Sequence, residues 1–214
     1  MSIHISAARL FVLLALGAIL TGCASKDPEP NPVAARPPAT LGQIKTDLVN
    51  FKAQVNVTTE AVNAMANSTA TADAQANYTR FATEHAKLVS MADANRSRIE
   101  DLNTRTKAYF DTWAKETEGA NPDLQRGMLE QRADAEQSFT NIKSNLQLGK
   151  LAFDPYMANL KDLEAHFAGG VAPARISAAS DLIAKVNQDG QTVQDRVDAV
   201  VVEIDKMMEA SGDA

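Results

Sequence analysis

The sequence predicts an all-α protein, an elongated antiparallel four-helix bundle assembled from coiled-coil-like hairpins. Three observations carry that prediction. From Leu41 almost to the end, apolar side chains recur at alternating steps of three and four, the spacing of a single helix face. The runs that keep this spacing stop only at short clusters of Gly, Pro, Asn and Ser, the residues that punctuate turns. No stretch sustains the every-second-residue alternation of a half-buried strand.

The elements divide the chain into residues 1–22, 23–40 and 41–210. Residues 1–22 read as a secretory leader: Arg9 precedes an uncharged run from Leu10 to Leu20 that is too short to cross a bilayer. Leu20-Thr21-Gly22-Cys23 follows, and Cys23 is the only cysteine, so no internal disulfide and no cysteine-pair metal or redox motif can form. These four residues resemble the lipobox of bacterial lipoproteins. The resemblance implies cleavage before Cys23, a diacylglycerol on its sulfur and an acylated new amine; the alternative is an ordinary leader with an unrelated cysteine. A thiol suits this position because it is the strongest nucleophile for making a thioether. Each buried CH₂ contributes about 0.8 kcal/mol, so several chains on one residue anchor a protein where one chain holds only marginally. Ala24-Ser25 rather than Asp follows the cysteine, which by the same resemblance points to the outer membrane, facing the periplasm. Residues 23–40 then hold five of the eight prolines, Pro28, Pro30, Pro32, Pro37 and Pro38. They read as an extended tether at about 3.1 Å per residue.

The first helix face is Leu41, Ile44, Leu48, Phe51, Val55, Thr58, Val62 and Met65, ended by the turn Asn67 to Thr71. The second runs Tyr78, Phe81, His85, Leu88, Ala92 and Asn95, then Ile99, Leu102, Thr106, Tyr109 and Trp113. So narrow a seam points to coiled-coil-like packing. Glu118 to Asp123 is a turn in which Gly119 ends a helix, Asn121 caps the next and Pro122 takes its first position. The third face includes Met128, Phe139, Ile142, Leu146, Gly149, Phe153, Tyr156 and Leu160; Pro155 lies within it and predicts a kink near Asp154. Gly169-Gly170 closes this helix, and Pro173 opens the last, whose face runs from Ile176 to Met207. The second and third helices, at about 45 residues each, would reach nearly 70 Å.

Tyr78, the run Tyr109-Phe-Asp-Thr-Trp113, Asp154-Pro155 and Ala174-Arg175-Ile176 are similar to residues of the domain of unknown function 2959 family of bacterial lipoproteins. The likeness covers about Leu41 to Met208. It implies an envelope-associated helical protein and brings no catalytic residues. The family typically shows Tyr where this chain has His85, a departure that argues against a special role for that histidine.

Charge and motifs narrow the function classes. The chain carries 21 Lys and Arg against 27 Asp and Glu, a formal charge of −6. Loss of Arg9 with the leader leaves 20 against 27, a formal −7. Such an acidic surface argues against nucleic acid and against adsorption to anionic lipid. GxSxG, HExxH, GxGxxG and P-loop motifs are absent, and no metal or cofactor is expected. If the second and third helices pair symmetrically about residue 120, His85 faces Asp154, and Asn95 faces Ser144 or Asn145. That arrangement predicts a buried polar pair, His85 with Asp154, and a second polar layer, which together would set the register; the plainer alternative has the His85 ring reaching water. Pairing of the last two helices about residue 170 places Gly149 and Gly190 near one layer, where either the backbones approach closely or a pocket opens. Trp113, on the seam, reads as core. The function expected is therefore a non-catalytic scaffold or adaptor for other envelope proteins, anchored to the membrane through Cys23. The less favoured alternative is a carrier holding a small apolar ligand between helices.

Overall fold

The computed structural model describes residues 41–210; Cys23, the leader and the tether lie outside the described residues. Among the described residues there are five helices: α1 (Leu41–Ala66), α2 (Thr71–Glu118), α3 (Pro122–Phe167), α4 (Pro173–Ala178) and α5 (Ser180–Ala210). No strand occurs among them. Four long helices run up, down, up and down, and the short α4 forms a corner before α5. The last helix expected from sequence is thus broken at Ala179, whose φ of −95° and ψ of 6° lie off the regular helix.

The start of α3 and the corner after it follow from local chemistry. The Asn121 side chain accepts a hydrogen bond from the Leu124 backbone N–H at 3.0 Å, and Pro122 fills the first helical position, where no N–H is needed. α3 continues through Pro155 to Phe167, so this proline does not end the helix. Beyond Phe167 the chain reverses at Gly170, whose φ of +106° excludes most side chains. The Arg175 guanidinium folds over this corner and donates to the His166 carbonyl, while His166 Nε2 lies 3.0 Å from the Arg175 carbonyl.

α1 packs against α2 and α5, α5 packs against α3, and α2 and α3 close the ring more sparsely. The α1 face is buried as its spacing predicts, from Leu41 to Met65. Between α1 and α5 the antiparallel register is held by Lys45–Asp205 and Lys52–Asp198, each at 2.6 Å. Three turns further along, Asn63 and Asn187 exchange side-chain amide hydrogen bonds at 2.8 and 2.9 Å. These pairs step by equal numbers of residues in opposite directions, as straight antiparallel helices require. On the α1–α2 side, Asp47 pairs with Arg98, and Gln54 donates to Glu84 at 2.9 Å. The Gln54 amide first, and then Lys87, hold the Glu84 carboxyl below its ordinary range.

Tyr156 of α3 crosses the bundle to α1. Its ring is fully buried, its hydroxyl donates to the Val55 carbonyl at 3.2 Å, and it shares a hydrogen bond of 2.9 Å with the Thr59 hydroxyl. Burial pushes this phenol up to about 12, with the Thr59 hydrogen bond acting in the opposite direction. Near the α2–α3 turn, Tyr109, Phe110, Trp113 and Phe139 form an aromatic knot. Ring centroids lie 5.5 Å apart for Tyr109–Trp113 and 6.4 Å apart for Phe110–Phe139. Trp113 is core, as its position on the seam predicts.

Candidate binding groove

The seam between α2 and α3 is sealed at both ends and open in the middle. On α2 no residue is buried between Leu88 and Leu102; on α3 none is buried between Ile142 and Tyr156. Each gap is two heptads, about 21 Å at the rise of an α-helix. The side chains there explain the opening. The seam positions are Ala92, Asn95 and Ile99 on one helix and Leu146, Gly149 and Phe153 on the other. Alanine, asparagine and glycine supply too little apolar volume to fill the space between two helices, so the walls stand apart.

The resulting groove holds about 460 Å³, within the usual range for a small-molecule site. Its floor is apolar and belongs to the other two helices: Leu48 and Phe51 from α1, and Val193, Val197 and Val200 from α5. Phe51 and Phe153 meet edge to face at 5.1 Å, which fixes the depth at one end. The rim is polar and mostly cationic. Arg96, Lys143, Lys150 and Arg196 line it against two acids, Glu100 and Asp154. Arg96 is paired with Asp93 at 2.9 Å and Lys150 with Asp154 at 2.7 Å. Among the described residues, neither Lys143 nor Arg196 is paired with a carboxylate. No histidine lines the groove, and no cluster of three or more His, Cys, Asp or Glu with metal-holding geometry occurs among the described residues. The arrangement suits binding of a molecule with an apolar body and an anionic end.

The structure separates residues that sequence reasoning joined. His85 does not meet Asp154. Its Nδ1 lies 3.0 Å from Glu164 Oε1, ten positions further along α3, and its ring stacks on Phe81. A carboxylate only accepts, so Nδ1 carries the proton of this bond. Nε2 is buried with no partner. Asp154 is exposed and bonded to Lys150. Ten positions are about 15 Å along a helix, whereas the lean of side chains toward the N-terminus of their own helix shifts a contact by only about one position on each side. The larger part of the offset is an axial shift of α3 along α2, away from symmetric pairing about residue 120. Phe110 with Phe139 shows the same offset. The second polar layer is also absent: Asn95 lines the groove, while Ser144 and Asn145 bond to carbonyls of their own helix. Polar pairs that do span helices include Asn63–Asn187 and Asn159–Asp189, the latter at 2.6 Å.

Gly149 and Gly190 do not share a layer, and each realises a different alternative. A Cβ on Gly190 would lie 2.8 Å from Thr59 Oγ1 and 3.2 Å from Tyr156 Cε2, so this glycine makes room for the crossing tyrosine. A Cβ on Gly149 would meet nothing within 4 Å; Gly149 lines the groove. Since Gly190 sits level with Tyr156, the two glycines are about two turns apart along α3. No helix of the described residues is long and apolar enough to cross a membrane.

A family model described as "Protein of unknown function (DUF2959)" matches residues 43–212. No curated protein and no solved structure matches the chain.

Proposed function

The chain belongs to the DUF2959 family, and from that premise we propose that it acts without catalysis, as a lipid-anchored scaffold or adaptor that meets other proteins of the cell envelope. The observation that carries this reading is the length of the central hairpin. α2 and α3 have 48 and 46 residues against 26 in α1, so the hairpin reaches about 70 Å and runs on for several turns past the level at which α1 begins. Its outer faces are polar, with exceptions such as Leu129, which is half exposed near the tip. A rod on a tether raises the effective concentration of its partners near the membrane. A photo-crosslinking residue placed at Leu129 in cells is expected to give one or a few discrete adducts. If no adduct forms at Leu129 or at other exposed tip positions, the scaffold reading fails. The anchor is tested separately. Cys23→Ser is expected to release a folded protein from membranes, and retention of that variant after a salt wash would refute the anchor.

The groove favours a second reading, a carrier that holds a small molecule between α2 and α3. The apolar walls above the buried floor, Ala92, Ile99, Leu146 and Phe153, stay partly open to water, and covering them is a standing gain for a ligand.

A further inference from the structure

Resting on the carrier reading, we propose that the groove between α2 and α3 binds a long-chain carboxylate, its tail along Leu48, Phe51 and Val197 and its head at the cationic rim. Three features select this chemistry. The lining runs from Ala92 to Asn103 on α2 and from Lys143 to Asp154 on α3, a slot about 16 Å long, whereas one leaflet of a bilayer is about 15 Å of hydrocarbon, so a single extended tail fits along it. Its 460 Å³ suits one tail rather than a bulky body. The floor offers only aliphatic and aromatic side chains, and the uncharged polar groups, Asn95, Asn103 and Gln147, stand on the walls of α2 and α3.

The rim selects the head. The chain as a whole is acidic, at −6, so it repels anions at a distance. Around this groove the balance is reversed, with four cations against two acids. Arg96 and Lys150 are engaged by neighbouring carboxylates, which leaves Lys143 of α3 and Arg196 of α5 to face an incoming charge. An ammonium head would meet this excess of like charge, and an uncharged head would leave both cations unused. A carboxylate accepts from either.

The test uses the full-length protein in its own membranes. Palmitic acid bearing a diazirine in its tail is added and irradiated, and the labelled peptides are mapped by mass spectrometry. The matched alcohol serves as the uncharged probe. The acid is expected to label peptides containing Phe51 and residues 146–153. It should label about fivefold more than the alcohol, and the Lys143→Gln/Arg196→Gln variant should lose about the same factor, the scale of two partly exposed ion contacts. Gly149→Phe is expected to fill the slot and abolish labelling. Equal labelling by acid and alcohol, or labelling unchanged in the double variant, overturns the carboxylate assignment while the carrier reading stands. Absence of label from every groove peptide, or label unchanged in Gly149→Phe, overturns both. Labelling that appears only in Cys23→Ser would identify the occupant as acyl chains on the protein itself and overturn the proposal of a free ligand. The Gln variants change only exposed side chains, and an unaltered melting curve for them shows that lost labelling is lost binding.

Discussion

One substitution made at two glycines should have opposite signs. In a helix interior, Gly→Ala stabilises by roughly 0.5–1 kcal/mol through backbone entropy alone. Gly149 meets that case, because a Cβ there contacts nothing within 4 Å. Gly149→Ala is therefore expected to raise the melting temperature by about 1–4 °C for a chain of this size. Gly190 starts with the same gain and loses more. The added carbon would lie 2.8 Å from Thr59 Oγ1, an atom held by the Val55 carbonyl at 2.9 Å and the Tyr156 hydroxyl at 2.9 Å. Thr59 can move only by giving up hydrogen bonds worth about 1 kcal/mol. The Tyr156 ring, 3.2 Å away, is fully buried and has nowhere to go. Overpacking of this kind costs about 1–3 kcal/mol. The net expectation for Gly190→Ala is a loss of about 1–2 kcal/mol. Chemical and thermal denaturation followed by helical circular dichroism, on the Cys23→Ser background in aqueous buffer, reads both values. If Gly190→Ala is as stable as the parent or more so, the account of the tyrosine crossing is wrong. Thr59→Ala supplies the internal control: in its presence the penalty of Gly190→Ala should shrink, a coupling of about 0.5 kcal/mol or more.

Three further outcomes are expected. Tyr156→Phe removes the hydroxyl bonded to Val55 and Thr59 and should cost about 1 kcal/mol at neutral pH. Because the Tyr156 phenol is raised to about 12 in the folded protein, its stabilisation is complete below about pH 10 and is lost as pH climbs toward 12. The parent should thus weaken over that window more than Tyr156→Phe does, as read by denaturation midpoints against pH. Asn187→Ala leaves the Asn63 amide without its partner across the α1–α5 interface and should cost about 1–3 kcal/mol. The double variant Asn63→Leu/Asn187→Leu should recover much of that loss, and a double-mutant cycle measures it. Lys52→Ala, at an ion pair with Asp198 that is largely open to solvent, should change stability by less than about 1 kcal/mol in the same assay.

Much of the architecture was legible before any coordinate. The α1 face is the clearest case: all eight positions read from spacing, Leu41 through Met65, are buried. Asn121 and Pro122 announced the start of α3 through groups that satisfy or dispense with a backbone donor. The candidate site was only half legible. Gly149 stood out as a small residue on a seam, and it lines the groove. Lys143 and Arg196 carried no signal, because a cation on a solvated face looks the same whether or not an apolar slot lies beside it. Asn63 and Asn187 went unnoticed for a related reason: a polar residue at the edge of a stripe shows its partner only when the opposite helix is in place.

Periodicity alone determined which face of each helix turns inward, because burying apolar area is a property of one helix at a time. Turn chemistry determined where α2 ends and α3 begins, since the unpaired backbone groups at a helix end are local. Tertiary structure alone decided which inward-facing residues touch. His85 reaches Glu164 and not Asp154 because contact depends on how far one helix is shifted along the other and on the volume of every neighbour. For the same reason the seam closes at Phe110 and Phe139 and stands open at Gly149, where too little side-chain volume remains to bring α2 and α3 together.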